Sequence, residues 1–163
     1  MQNKLEKFKH GEPKGSPIFF ALFSKQQERL KRKIKSKGEI KVRKVAEISD
    51  LMGKTLTRIV KNDDVEIKFF TTNGDVYVMY HEQDCCESVT IEEIIGDLNN
   101  LIGSPIVMAE ETSNQDTSRD GDSETWTFYK IATLRGYVTI RWYGESNGYY
   151  SEDVDFVRIT NDM

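Results

Sequence analysis

Val65-Glu-Ile-Lys-Phe-Phe-Thr-Thr-Asn73-Gly74-Asp75-Val-Tyr-Val-Met-Tyr80 reads as a β-hairpin, and it decides the fold. Branched and aromatic residues alternate with polar ones on both sides of Asn73-Gly74, the period of a half-buried strand. Asn-Gly supplies the two positive φ angles of a two-residue type I′ turn. That turn sets Phe69 opposite Val78 and Ile67 opposite Tyr80. Val65, Ile67, Phe69, Val76, Val78 and Tyr80 then share the buried face, and Glu66, Lys68, Met79 and His81 take the other.

Similar patterns extend outward. Thr55–Val60 reads as a preceding strand, and residues 39–49 as a strand or a connector. Thr125–Leu134 and Tyr137–Tyr143 form a second hairpin across Arg135-Gly136. It puts Tyr129, Ile131, Val138, Ile140 and Trp142 on one face, and Tyr149–Ile159 closes the sheet. Between the hairpins, Ile94, Ile95, Leu98, Leu101 and Ile102 recur at helical spacing. They predict a short helix over Thr90–Gly103, stopped by Gly103-Ser104-Pro105. Pro105–Glu110 returns as a strand. Glu111–Glu124 holds no apolar residue and reads as a mobile loop. Strands with one helix and no βαβ alternation predict an α+β fold with a mostly antiparallel sheet.

The N-terminal part differs. Gly11, Pro13, Gly15 and Pro17 break any regular element before the apolar block Ile18–Phe23. Ser24 with Gln27 is a capping-box signature for a helix over about 25–37, ended by Gly38. Its surface carries Arg29, Lys31, Arg32, Lys33, Lys35 and Lys37. The 163-residue chain has a net charge of -4, but the charge is split. Residues 1–46 hold 14 Lys and Arg against 4 Asp and Glu, and the remainder hold 9 against 23. This divides the chain into a basic arm, 1–49, and an acidic α+β domain, 50–163. Clustered Lys and Arg bind phosphate backbones or acidic surfaces by counterion release. The plainer reading is a solvated helix, or an arm lying on its own acidic domain.

The carboxylates Glu110, Glu111, Asp116, Asp120, Asp122, Glu124, Glu152, Asp153 and Asp155 could present a phosphate-like surface to a nucleic-acid-binding protein, or form an ordinary acidic surface. Two further constellations could carry chemistry. Tyr80-His81-Glu82-Gln83-Asp84-Cys85-Cys86-Glu87 lies where a strand runs into a loop. His81 could act as a general base, with Asp84 and Glu87 as its carboxylates. A thiol could act as a nucleophile, or His81 and Cys85 could join a zinc site. Each version lacks a part, since no Cys-x-x-Cys or His-x-x-x-His spacing is present. The structural alternative is a buried histidine and small apolar cysteines. Arg141-Trp-Tyr-Gly-Glu-Ser-Asn-Gly-Tyr-Tyr150 places Tyr143, Tyr149 and Tyr150 near a glycine turn. They could dock a partner or stack on a base, or simply fill the sheet.

Leu51-Met-Gly-Lys-Thr-Leu-Thr57, Tyr80-His-Glu-Gln-Asp-Cys-Cys-Glu-Ser-Val89, Ile102-Gly-Ser-Pro-Ile106, Thr125-Trp-Thr-Phe-Tyr-Lys130 and the Arg141–Tyr150 stretch carry a resemblance. Over roughly Leu51 to Ile159 the chain resembles a family of small uncharacterised domains. They are common in bacteriophages and mobile elements, mainly of Gram-positive bacteria. The resemblance implies a setting, and no catalytic residues. Small domains of that setting often disable host machinery or host defence.

Three functional expectations follow. The first is an anti-CRISPR-like inhibitor that binds a host or defence protein and its RNA or DNA. The second is a metal-dependent or His-assisted nuclease, the one case in which a divalent metal is expected. The third is a nucleotide-signal binding domain; in the other two cases no cofactor is expected. Walker A, Rossmann and G-x-S-x-G signatures are absent. No apolar run approaches the roughly 18 residues that span a bilayer, so no membrane partner is expected. Two adjacent cysteines without a secretory leader suit a reducing compartment, the host bacterial cytoplasm. The sequence carries no signal for oligomeric state.

Overall fold

The computed structural model describes residues 34–36, 39–117 and 121–161. Ten strands run in chain order: β1 (Ile34–Ser36), β2 (Glu39–Val45), β3 (Leu56–Asn62), β4 (Glu66–Thr71), β5 (Val76–Tyr80), β6 (Glu87–Ile95), β7 (Met108–Thr117), β8 (Ser123–Thr133), β9 (Gly136–Ser146) and β10 (Asp155–Asn161). They build two antiparallel sheets, ordered β1-β2-β10-β5-β4-β3 and β6-β9-β8-β7. Inward side chains of both sheets form one core. Ile67, Phe69, Tyr77, Met79 and Phe156 come from the first sheet, and Tyr129, Ile131, Val138, Ile140 and Trp142 from the second. The Trp142 indole N–H reaches across and donates to the Met79 sulfur at 3.1 Å.

The described residues form an all-β fold, which corrects the α+β expectation. The described residues contain no α-helix, only the 3₁₀ turns Ile48–Leu51 and Leu98–Leu101. The helix expected over Thr90–Gly103 is instead the second half of β6 followed by a 3₁₀ turn. The misleading spacing, from Ile94 to Ile102, straddles two elements: Ile94 and Ile95 end β6, and Leu98 and Leu101 bound a 3₁₀ turn, whose three-residue period resembles a helical stripe. The register of β6 against β9 shifts between Ile91 and Glu93. Ile91 and Ile94 therefore both pair with inward residues, Trp142 and Ile140. The extra residue turns the two-residue alternation into a three-residue step within β6.

Residues 25–33 and 37 of the expected basic helix lie outside the described residues, and its segment Ile34–Ser36 is strand β1. Residues 39–45, read with the basic arm, form β2 and pair with β10 inside the first sheet. The expected loop Glu111–Glu124 is also corrected. Residues 111–117 belong to β7 and pair with β8 down to Thr117 opposite Ser123. β7 is an edge strand, so its backbone pairing needs no buried apolar face there. Nor does Tyr149–Ile159 close the sheet of the second hairpin, because β10 inserts between β2 and β5 of the other sheet.

The first hairpin exists, but its register moves by one. Phe69 faces Tyr77 and Ile67 faces Met79. Tyr77 and Met79 therefore enter the core, where Val78 and Tyr80 were expected. The turn explains the shift. Gly74 N donates to Thr71 O at 3.2 Å, and Thr71 N donates to Asp75 O at 3.0 Å. Of the loop residues Thr72, Asn73 and Gly74, only Gly74 has a positive φ, +86°. This is a three-residue loop closed by a left-handed glycine, not a type I′ turn. The second hairpin turns one residue earlier than expected, at Leu134-Arg135, with Ile131 opposite Val138. That register differs by two, so every expected face is kept.

No helix among the described residues is long and apolar enough to cross a membrane.

A β-carbon at Gly74 would meet nothing within 4 Å, so a side chain there strains only the backbone. Gly74→Ala should lower stability by about 1–2 kcal/mol in urea denaturation. Thr72→Ala, in the same exposed loop, should change it by less than about 0.5 kcal/mol.

Candidate functional site

Residues 81–86 join β5 to β6, and residues 147–154 join β9 to β10. The two loops meet at one end of the fold. His81 tethers them: its Nδ1 lies 2.7 Å from the Asp153 carbonyl oxygen and its Nε2 lies 2.9 Å from Glu87 Oε1. Both side chains are 3% exposed. A carbonyl oxygen only accepts, so Nδ1 carries a hydrogen. The second contact needs a proton as well, held by either the ring or the carboxyl. Asp84 N–H adds a 2.8 Å hydrogen bond to the same carboxylate oxygen. His81 and Glu87 thus close their own loop, with neither ring nitrogen left to face a substrate. Asp84 contributes its backbone to this tether, and its position in the loop is exposed.

Cys85 and Cys86 are both exposed and both free. Their Sγ atoms lie 3.0 Å apart, and Cys85 Sγ lies 2.9 Å from the Tyr150 hydroxyl. The pair borders a cleft of about 470 Å³ that Glu87, Asp122, Glu124 and Glu145 also line. Among the described residues, no group of three or more His, Cys, Asp or Glu side chains could hold a metal ion. The zinc arrangement considered for His81 and Cys85 is thus not assembled there.

The three tyrosines have separate surroundings. Tyr143 points off the outer face of the second sheet and packs on Trp126, its cross-strand partner, at 4.6 Å between ring centroids. The Arg141 guanidinium lies 5.2 Å from the same indole and pairs with Glu93. Tyr149 is 87% exposed. Tyr150 is half-buried, with its hydroxyl at Cys85. Tyr143 and Tyr150 are thus engaged with different partners, Trp126 and Cys85. Of the basic residues, Lys35 lies in β1, while Arg29, Lys31, Arg32, Lys33 and Lys37 lie outside the described residues.

Glu152 corrects the reading of an exposed acidic surface, to which its sequence position assigned it. It is 5% exposed and turns into the end of the second sheet. Ser123 and Ser146 hydroxyls reach its Oε1, the latter at 2.7 Å, and the Thr125 hydroxyl reaches its Oε2. Hydroxyl donors are what make a buried carboxylate tolerable. The signal was the inward parity of β8, which places Ser123, Thr125 and Thr127 on the buried face and so calls for a polar partner. Gly144 makes room for that partner: a β-carbon there would lie 2.8 Å from Glu152 Cβ and 3.2 Å from its carbonyl oxygen. Gly144→Ala should cost about 1–3 kcal/mol by overpacking. Glu152→Ala should cost about 1–3 kcal/mol by leaving buried hydroxyls without their acceptor. The double variant should lose less than the sum in urea denaturation, because both changes disturb one cradle.

No curated protein and no solved structure matches the chain. A family model described as a domain of unknown function matches residues 49–156, from the 3₁₀ turn Ile48–Leu51 to the second residue of β10. That match covers most of both sheets, and the chain belongs to this family, DUF7448.

Proposed function

We propose that this protein is a stoichiometric binder of a mobile element, an inhibitor directed at a host or defence protein–nucleic acid complex. The observation that carries the binding half of this reading is the state of His81. A general base needs a ring nitrogen within reach of water or substrate. Here both nitrogens are spent on Asp153 and Glu87 inside the protein. The constellation that offered the best case for a nuclease works as a loop clamp.

What remains exposed suits docking. Tyr149 projects from the β9–β10 loop, and the Trp126–Tyr143 pair with Arg141 lies on the outer face of the second sheet. Aromatic and arginine side chains are the usual anchors of interfaces. The basic segment, with Arg29, Lys31, Arg32, Lys33, Lys35 and Lys37, supplies charge for a phosphate backbone or an acidic protein face. The mobile-element setting rests on the resemblance of the domain.

The test is incubation with labelled single-stranded RNA and DNA, with and without EDTA, at low and moderate salt. The expected outcome is salt-sensitive binding without cleavage. Reversal of Arg32, Lys33 and Lys35 to Glu should weaken it by about tenfold or more. Cleavage of either strand would overturn the reading, and loss of cleavage with EDTA would make the protein a metal-dependent nuclease.

A further inference from the structure

Cys85 and Cys86 are neighbours in the chain, yet their sulfurs stand in different surroundings. Cys85 Sγ has two polar contacts, Cys86 Sγ at 3.0 Å and the Tyr150 hydroxyl at 2.9 Å. As a thiol, Cys85 donates to the Tyr150 oxygen; once ionised it can only accept, and hydroxyl or thiol hydrogens turned toward it stabilise the thiolate, which is the nucleophile. The Cys86 contact, and after it the Tyr150 contact, hold the Cys85 thiol below its ordinary range. The same contact with Cys85 raises the Cys86 thiol. The Tyr150 hydroxyl is pushed up to about 12, chiefly by its contact with Cys85. One sulfur is prepared to attack, and its two neighbours keep their protons.

The cleft beside this pair is acidic. Glu87, Asp122, Glu124 and Glu145 line it, and the Asp84 carboxylate also acts on both thiols. Glu87 is balanced by His81, and the others give the cleft a negative field. Such a field concentrates cations and repels anions.

We propose that Cys85 is a thiol–disulfide exchange site for small, positively charged disulfides, with Cys86 and Tyr150 as its hydrogen-bonding supports. The Cys85 thiolate attacks one sulfur of R–S–S–R. The new Cys85–S bond forms as the old S–S bond breaks, and the leaving thiolate takes a proton from water. Cys85 is oxidised to the disulfide level and one R sulfur is reduced to a thiol. The mixed disulfide persists. Adjacent Cα atoms are about 3.8 Å apart, shorter than the roughly 4.4–6.8 Å that unstrained disulfides span, so closure onto Cys86 is disfavoured.

The experiment uses the full chain at neutral pH with cystamine, a dicationic disulfide, and with oxidised glutathione, an anionic one, followed by mass spectrometry. One cysteamine adduct should form at Cys85. It should form about tenfold or more faster than the glutathione adduct at low salt, with the gap narrowing as salt rises. Cys85→Ser, which leaves Cys86 alone, should react much more slowly than Cys86→Ser. Tyr150→Phe should slow Cys85 several-fold at neutral pH, since less thiolate is present. That difference should vanish near pH 10, where the thiol is ionised in either protein. Equal rates for the two disulfides, equal rates for the two single-cysteine variants, or a pH profile unmoved by Tyr150→Phe would each overturn the proposal. Rapid closure to an internal Cys85–Cys86 disulfide would overturn the persistent adduct.

Discussion

The long β8–β9 hairpin is the constraint on which the other elements depend. Its strands pair from Thr133 and Gly136 out to Ser123 and Ser146, and each presents every second residue inward. β6 and β7 add to its two sides. Trp142, at the inward centre, both fills the core and bonds to Met79 of the facing sheet. At the far end the same inward parity changes from apolar to polar, and Glu152 becomes the natural plug. Core packing and the buried carboxylate are consequences of one alternation.

That alternation was legible wherever register errors came in pairs. Reading the second hairpin across Arg135-Gly136 instead of Leu134-Arg135 moved the pairing by two, and all five expected inward residues stayed inward. The first hairpin moved by one, and β5 presented Tyr77 and Met79 instead. Asn73-Gly74 is compatible with two loop lengths, and local composition does not choose between them. The core chooses, because Tyr77 and Met79 fill it beside Phe156 and Trp142. The α+β expectation failed where a strand end runs into a 3₁₀ turn: Ile94 and Ile95 close β6, and Leu98 and Leu101 bound the turn, which together have the spacing of a helical face.

The site was legible in its members and not in their roles. The stretch 80–87 does gather His81, Glu87 and the thiols at one end of the fold. Asp153 and Tyr150, which decide what His81 and Cys85 can do, come from a loop more than sixty residues away. Spacing within a motif says nothing about such partners. Glu152 reads as a surface carboxylate for the same reason, since its three hydroxyl donors lie on two strands of a hairpin that had first to be folded.

β7 has a consequence for the protein in concentrated solution. It is ten residues long and ends the second sheet, so no other described strand pairs with its outer side. Such an edge is a template for a neighbouring chain. Glu110, Glu111 and Asp116 lie along it. An antiparallel copy of the same strand would bring carboxylates against carboxylates without a gain in apolar burial. The polar stretch that reads as a loop thus has the charged composition by which edge strands disfavour pairing with a neighbouring chain.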